Sequence, residues 1–162
     1  MSHKNNRSIV WFCIVVLMCG CQRPPDSTLS LTQADRDDIC ELAIKRYANS
    51  GGFKSDMIFV ALPDGLDPSD DFMSRFRDYQ PKAEKASMAY HDNSASRQVR
   101  HKATNQAGAL VRVHKLTMRM DGIVQVDLGY DMFALGGGND SLILSRVDRG
   151  WSVKQEIRGV TY

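Results

Sequence analysis

The sequence has few cysteines, no long apolar run and almost no net charge, and each shortage excludes something. Its four cysteines are Cys13, Cys19, Cys21 and Cys40. Three lie within the first 21 residues, so beyond them Cys40 stands alone and has no partner for an intrachain disulfide. One cysteine and the scattered His91, His101 and His114 lack the ligand spacing of a zinc site, so neither metal nor cofactor is expected. The apolar run Ile9–Met18 is ten residues long, too short for a bilayer-spanning helix, which needs ~20 residues. The formal charge of +2 comes from Lys4 and Arg7, with no acid before Asp26. From Cys21 onward 19 basic residues face 19 acidic ones, and a neutral domain is a poor match for nucleic acid.

Catalytic signatures are missing as well. No serine sits in a Gly-x-Ser-x-Gly elbow and no His-Glu-x-x-His helix occurs. Gly136-Gly137-Gly138 is followed by Asn-Asp-Ser and strand-like residues. A phosphate loop needs a helix and usually a lysine there, so the run reads as a flexible hairpin loop. Asp127 and Asp131 share a face of one strand, roughly 13 Å apart along it, wider than the ~5–9.5 Å of glycosidase carboxylate pairs. No catalytic residue is assigned and no enzymatic activity is expected.

What is present first is an address. A positive stretch through Arg7, the apolar run, and the small-residue segment Cys19-Gly20 have the layout of a secretory signal peptide spanning residues 1–20. Met18-Cys19-Gly20-Cys21 resembles the lipobox of bacterial lipoprotein precursors. The resemblance implies cleavage after Gly20, a diacylglycerol on the Cys21 thiol and, commonly, acylation of the new amino terminus. It implies a membrane partner through the Cys21 lipid and a place in the cell envelope. Gln22, rather than Asp, after the cysteine leans toward the periplasmic face of an outer membrane. Two or more acyl chains hold a protein stably where one holds it only marginally.

Residues 21–31 carry the lipidated cysteine and a tether containing Pro24-Pro25, which at full extension reaches roughly 30 Å. Residues 32–162 then read as one globular α+β domain. Thr32 and Asp35 form a capping pair, Asp35, Asp37 and Asp38 crowd the helix start, and Lys45-Arg46 sit near its end. Ile39, Leu42, Ala43 and Tyr47 make its apolar stripe, and Asn49-Ser50-Gly51-Gly52 stops it. Cys40, on this helix among apolar neighbours, reads as a buried structural thiol. Met57–Leu62 is a buried strand, and Ser69 caps a short helix through Phe72, Met73 and Phe76 that ends before Pro81. Ala86–Tyr90 reads as a strand, and Arg97–Gln106 has no clear period.

Leu110–Met118 is strand-like, with Val111 and Val113 on one face and Leu110, Leu116 and Met118 on the other. Asp121-Gly122 is a turn, Ile123–Phe133 alternates with a period of two, and Ser141–Val147 and Trp151–Val160 flank the turn Asp148-Arg149-Gly150. The expected fold is an N-terminal helix and a short second helix packed on an antiparallel sheet of four to six strands ending in a meander. The stretch from Asp121, with Gly129-Tyr130, the glycine run, Leu142–Leu144 and Gly150-Trp151-Ser152-Val153, resembles the ends of small exported proteins of uncharacterised function. So do Phe72–Phe76, Pro81 and Ser87 upstream. That resemblance implies architecture and no activity.

Charge is separated along the domain. Asp56–Asp92 holds eight acids against four bases, whereas the 28 residues before Asp121 hold no acid. That acid-free span carries Arg97, Arg100, Lys102, Arg112, Lys115 and Arg119. Such a block is either a solvated surface or a basic face for an anionic envelope component. The functional expectation is a membrane-anchored bacterial lipoprotein with a non-catalytic binding or envelope-accessory role. The alternative is a small-ligand or enzymatic domain with a cavity between helix and sheet.

Overall fold

A computed structural model describes residues 30–50, 55–95, 97–119, 122–133 and 136–161. The signal segment, Cys21, most of the tether, the Gly51-Gly52 stop and Asp121 lie outside the described residues. Helix α1 (Gln33–Ala48) begins as its capping residues require. Thr32 Oγ1 accepts from the Asp35 amide at 3.1 Å, and the Asp35 carboxylate accepts from the Thr32 amide at 3.3 Å. Its buried stripe is Ile39, Cys40, Ala43, Ile44, Tyr47 and Ala48. Leu42, placed in that stripe from its spacing, lies at the edge and is only partly buried. Burial pushes the Cys40 thiol up to about 12, so it is an inert core residue.

Strand β1 (Met57–Ala61) is buried along its whole length. Helix α2 (Asp70–Ser74), capped by Ser69 Oγ accepting from Phe72 N, leads to β2 (Lys82–Lys85). A 3-10 turn over Ala86–Met88 precedes β3 (Ala89–His91), and β4 (Val99–His101) completes a small hairpin. Then come β5 (Ala109–Met118), β6 (Ile123–Phe133), β7 (Gly136–Val147) and β8 (Gly150–Thr161). The main sheet has the order β2-β1-β5-β6-β7-β8, and β3 pairs with β4 in a separate two-stranded sheet. The fold is α+β, and β5 to β8 form the expected antiparallel meander.

Four local readings of the sequence need correcting. The sheet is mixed, because β1 runs parallel to both β2 and β5. Parallel neighbours need crossover connections, and α2 supplies the first. Ala86–Tyr90 is not one strand: Ala86–Met88 form the 3-10 turn and only Ala89 and Tyr90 enter β3, while the charged Lys-Ala-Glu-Lys before them forms the edge strand β2. Gly136, Gly137 and Gly138 are strand residues opposite Phe133, Asp131 and Tyr130, not a hairpin loop. Finally, the pairing of β5 with β6 slips between Val113 and Lys115. This bulge at His114 reverses the alternation. Leu116 and Met118 therefore join Val111 and Val113 on the α1 side, opposite Val126 and Val124.

The sheet separates two apolar clusters. On the α1 side Ile39, Ala43 and Ile44 pack on Ile58, Val60, Val111, Val126, Leu128 and Leu142, all fully shielded from solvent. On the other side Met57, Phe59, Ala61 and Leu110 lie under Val99 of β4. Phe59 anchors this second layer: His101 stacks on it at 6.1 Å between centroids. A Cβ at Gly108 would stand 2.6 Å from its ring, so only glycine fits there. Phe59→Ala is expected to cost ~3–5 kcal/mol, measured by chemical denaturation, with β3–β4 amides losing exchange protection before α1.

Candidate functional site

The β3–β4 unit covers only the β1 end of the sheet face opposite α1. Across β5 to β8 that face is bare, and its side chains follow from register. On β6, Gln125, Asp127, Gly129 and Asp131 alternate with the buried Val124, Val126 and Leu128. Their partners are Arg112 on β5, across from Gly129, and Asn139 and Ser141 on β7, across from Gly129 and Asp127. His114, two residues beyond Arg112, shares this face by alternation, and the bulge adds Lys115 to it.

Two adjoining open clefts result. The larger, about 580 Å³, is lined by His114, Asp127, Asn139, Asp140, Ser141 and Ile157, with Gly159 on its β8 side. The smaller, about 280 Å³, is lined by Arg112, His114, Gly129, Asp131 and Asn139. A Cβ at Gly129 would stand 2.5 Å from both His114 Nε2 and Asn139 Oδ1. Both polar atoms therefore lean over a position that glycine keeps clear. A Cβ at Gly159 would collide with the Asn139 carbonyl, next to the pairing slip between Gly138 and Asp140.

Most charged and hydroxyl groups in the clefts are committed to one another. Asp127 Oδ1 accepts from Ser141 Oγ at 2.7 Å and from Gln125 Nε2 at 2.9 Å. Asp131 holds Arg112 in an ion pair at 3.2 Å, and Asp140 accepts from the Gly159 amide at 2.8 Å. The Ser141 hydroxyl thus donates directly to a carboxylate with no imidazole between them, which is not a nucleophile–base arrangement. Among the described residues the His114 and Asn139 side chains have no hydrogen-bond partner. They are the groups free to donate to or accept from a ligand.

The six basic residues separate into two sets. Arg97, Arg100 and Lys102 belong to the β3–β4 unit. Arg100 reaches Asp92, the Asn105 carbonyl and Gln98 at 2.7, 2.9 and 2.7 Å, and Lys102 Nζ donates to the Ser87 carbonyl at 2.6 Å. Arg112 on β5 pairs with Asp131, and Arg119, just past its end, donates to Gln125 Oε1 at 2.6 Å. Arg112 and Lys115, three apart and so on opposite faces of a regular strand, share the open face because of the bulge. The side chains of Arg97 and Lys115 are exposed and have no partner among the described residues.

Of the other singled-out residues, His101 is buried and its Nδ1 accepts from the Ala103 and Thr104 amides. His91 contacts the Arg97 carbonyl at 3.2 Å. Among the described residues no cluster of His, Cys, Asp and Glu could hold a metal ion. The space between α1 and the sheet, where a cavity was the alternative expectation, is filled by the apolar core. A cleft of about 260 Å³ lies at its rim beside Trp151 and Arg149. Sequence reading missed Gly129, Asn139 and Gly159. The available signal was a glycine on the polar side of an alternating strand, which marks a close approach.

Comparison with protein-family models, with curated proteins and with solved structures gives no match.

The β3–β4 unit depends on one carboxylate. Asp92 accepts from the Ser94 hydroxyl and amide, the Gln98 amide and Arg100. The Ser94 hydroxyl first, then the Arg100 guanidinium, hold its carboxyl down to about 2. A lowered folded value means the contribution is complete above the ordinary carboxylate range and is lost as pH falls through about 2. Exchange protection at the Gln98 amide should therefore survive to about pH 2 in the native chain. In Asp92→Ala, which removes the acceptor, it should be lost already at neutral pH.

Proposed function

We propose that this protein is an exported bacterial lipoprotein, held in the cell envelope by acyl groups on Cys21, whose domain binds a partner or ligand on the open sheet face. It performs no chemistry on what it binds. The observation that carries this reading is the hydrogen bonding in the clefts. Asp127, Asp131, Asp140, Ser141 and Arg112 have partners within the protein, while His114 and Asn139 lean unpartnered over Gly129. That is a surface for recognition through donors and acceptors, with no activated nucleophile.

The anchor is supported by the residue pattern Met18-Cys19-Gly20-Cys21 after a positive and then an apolar segment. Among the described residues no helix is long and apolar enough to cross a membrane. Gln22 at the position after Cys21 favours the outer membrane, with the domain in the periplasm. The partner is an envelope protein or an anionic envelope component rather than nucleic acid, and the free cation Lys115 on the open face favours an anionic group on it.

When the full chain is expressed in a bacterial host with labelled palmitate, it should carry the label and sediment with membranes. Cys21→Ser should lose the label and move to the soluble fraction. Label retained by Cys21→Ser would overturn the anchor.

A further inference from the structure

Strand β2 is an outer edge of the main sheet. The Lys82 amide donates to the Asp56 carbonyl at 3.1 Å, and β2 runs parallel to β1 with Ala83 opposite Ile58. In a parallel ladder alternate residues bond to the neighbouring strand. Lys82 and Glu84 therefore face β1, and the Ala83 amide, Ala83 carbonyl and Lys85 amide point away from the sheet. None of the three has a partner among the described residues.

Beside this edge lies a slot of about 400 Å³. Met73 and Phe76 come from α2 and the turn after it, Met88 comes from the 3-10 turn after β2, and Ala83 lies between them. Its walls are apolar and include two flexible thioethers, which suits them to varied side chains. The charges at its rim are unequal. Lys85 is paired with Asp70 at 2.7 Å and Lys82 with Glu84 at 2.8 Å. Arg77 is exposed and has no partner among the described residues.

We propose that β2 accepts an extended segment of an envelope protein as an added strand. One apolar side chain of that segment enters the Met73–Phe76–Met88 slot, and an acidic side chain meets Arg77. Backbone pairing gives affinity and the slot and Arg77 give specificity, as in other strand additions. The slot is wide enough for a few residues of extended chain and too small for a folded domain. This site is separate from the open-face clefts, and either can fail without the other.

The test uses the full chain in detergent micelles and a short fluorescein-labelled peptide of alternating Leu and Thr with Asp at both ends. The control peptide carries Lys in place of Asp. The Asp peptide should raise its anisotropy on binding, and the Lys peptide should bind ~10-fold more weakly or worse. Ala83→Pro removes an outward amide while leaving the inward ladder intact, a change edge strands tolerate. It should weaken binding ~10-fold or more with an unchanged thermal melt. Arg77→Glu, a surface change away from the core, should reverse the preference between the two peptides. The proposal is overturned if no anisotropy change occurs, if both peptides bind equally, or if Ala83→Pro and Arg77→Glu behave as the unaltered chain.

Discussion

The arrangement of the sheet turns on the extra residue in β5. Val111 and Val113 face α1, and after the slip at His114 so do Leu116 and Met118. A regular strand would turn the latter two to the opposite face, removing apolar cover from the far end of the core. The same slip places Lys115 beside Arg112 and His114, which alternation already puts on the face that α1 does not cover. One backbone irregularity therefore completes the core and adds a cation to the polar surface. Bulges commonly re-aim side chains in this way.

That surface is defined by what covers the rest. Strand β1 is buried on both faces because α1 shields Ile58 and Val60, while the β3–β4 unit shields Met57, Phe59 and Ala61. The cover ends at β5, and beyond it the face on β6 and β7 is mostly polar side chains and glycines, with Ile143 across from Gln125. Charge is balanced locally there. Asp131 answers Arg112, and Lys115 stands opposite Asp127 in the register. The acid-free stretch before Asp121 does not act as a single block, because Arg100, Lys102, Arg112 and Arg119 are each engaged by acceptors elsewhere in the domain.

Elements specified by local chemistry were legible in the sequence. Thr32 and Asp35 announce α1, the apolar run Met57–Ala61 announces a strand buried on both faces, and the alternation from Ile123 announces β6. Elements specified by tertiary contact were not. Nothing in Lys82–Lys85 signals a strand, since its backbone pairing with β1 is its main reason to be extended. The parallel direction of β1 depends on where α2 returns the chain, and Gly136–Gly138 reads as loop until its pairing with β6 is known. For the site, Arg112, His114, Asp127 and Asp131 could each be singled out from sequence. Their convergence over Gly129 depends on the register of β5, β6 and β7, and the placing of Lys115 with them depends on a bulge that no residue in β5 announces.

The most direct measurement is a nuclear Overhauser spectrum of the full chain, reading protons of the His114 ring. Contacts are expected from that ring to the Gly129 α-protons and the Asn139 side-chain amide, together with contacts from Leu116 and Met118 to residues of α1. A regular β5, with the Lys115 side chain toward α1 and Leu116 on the open face beside His114, would contradict it.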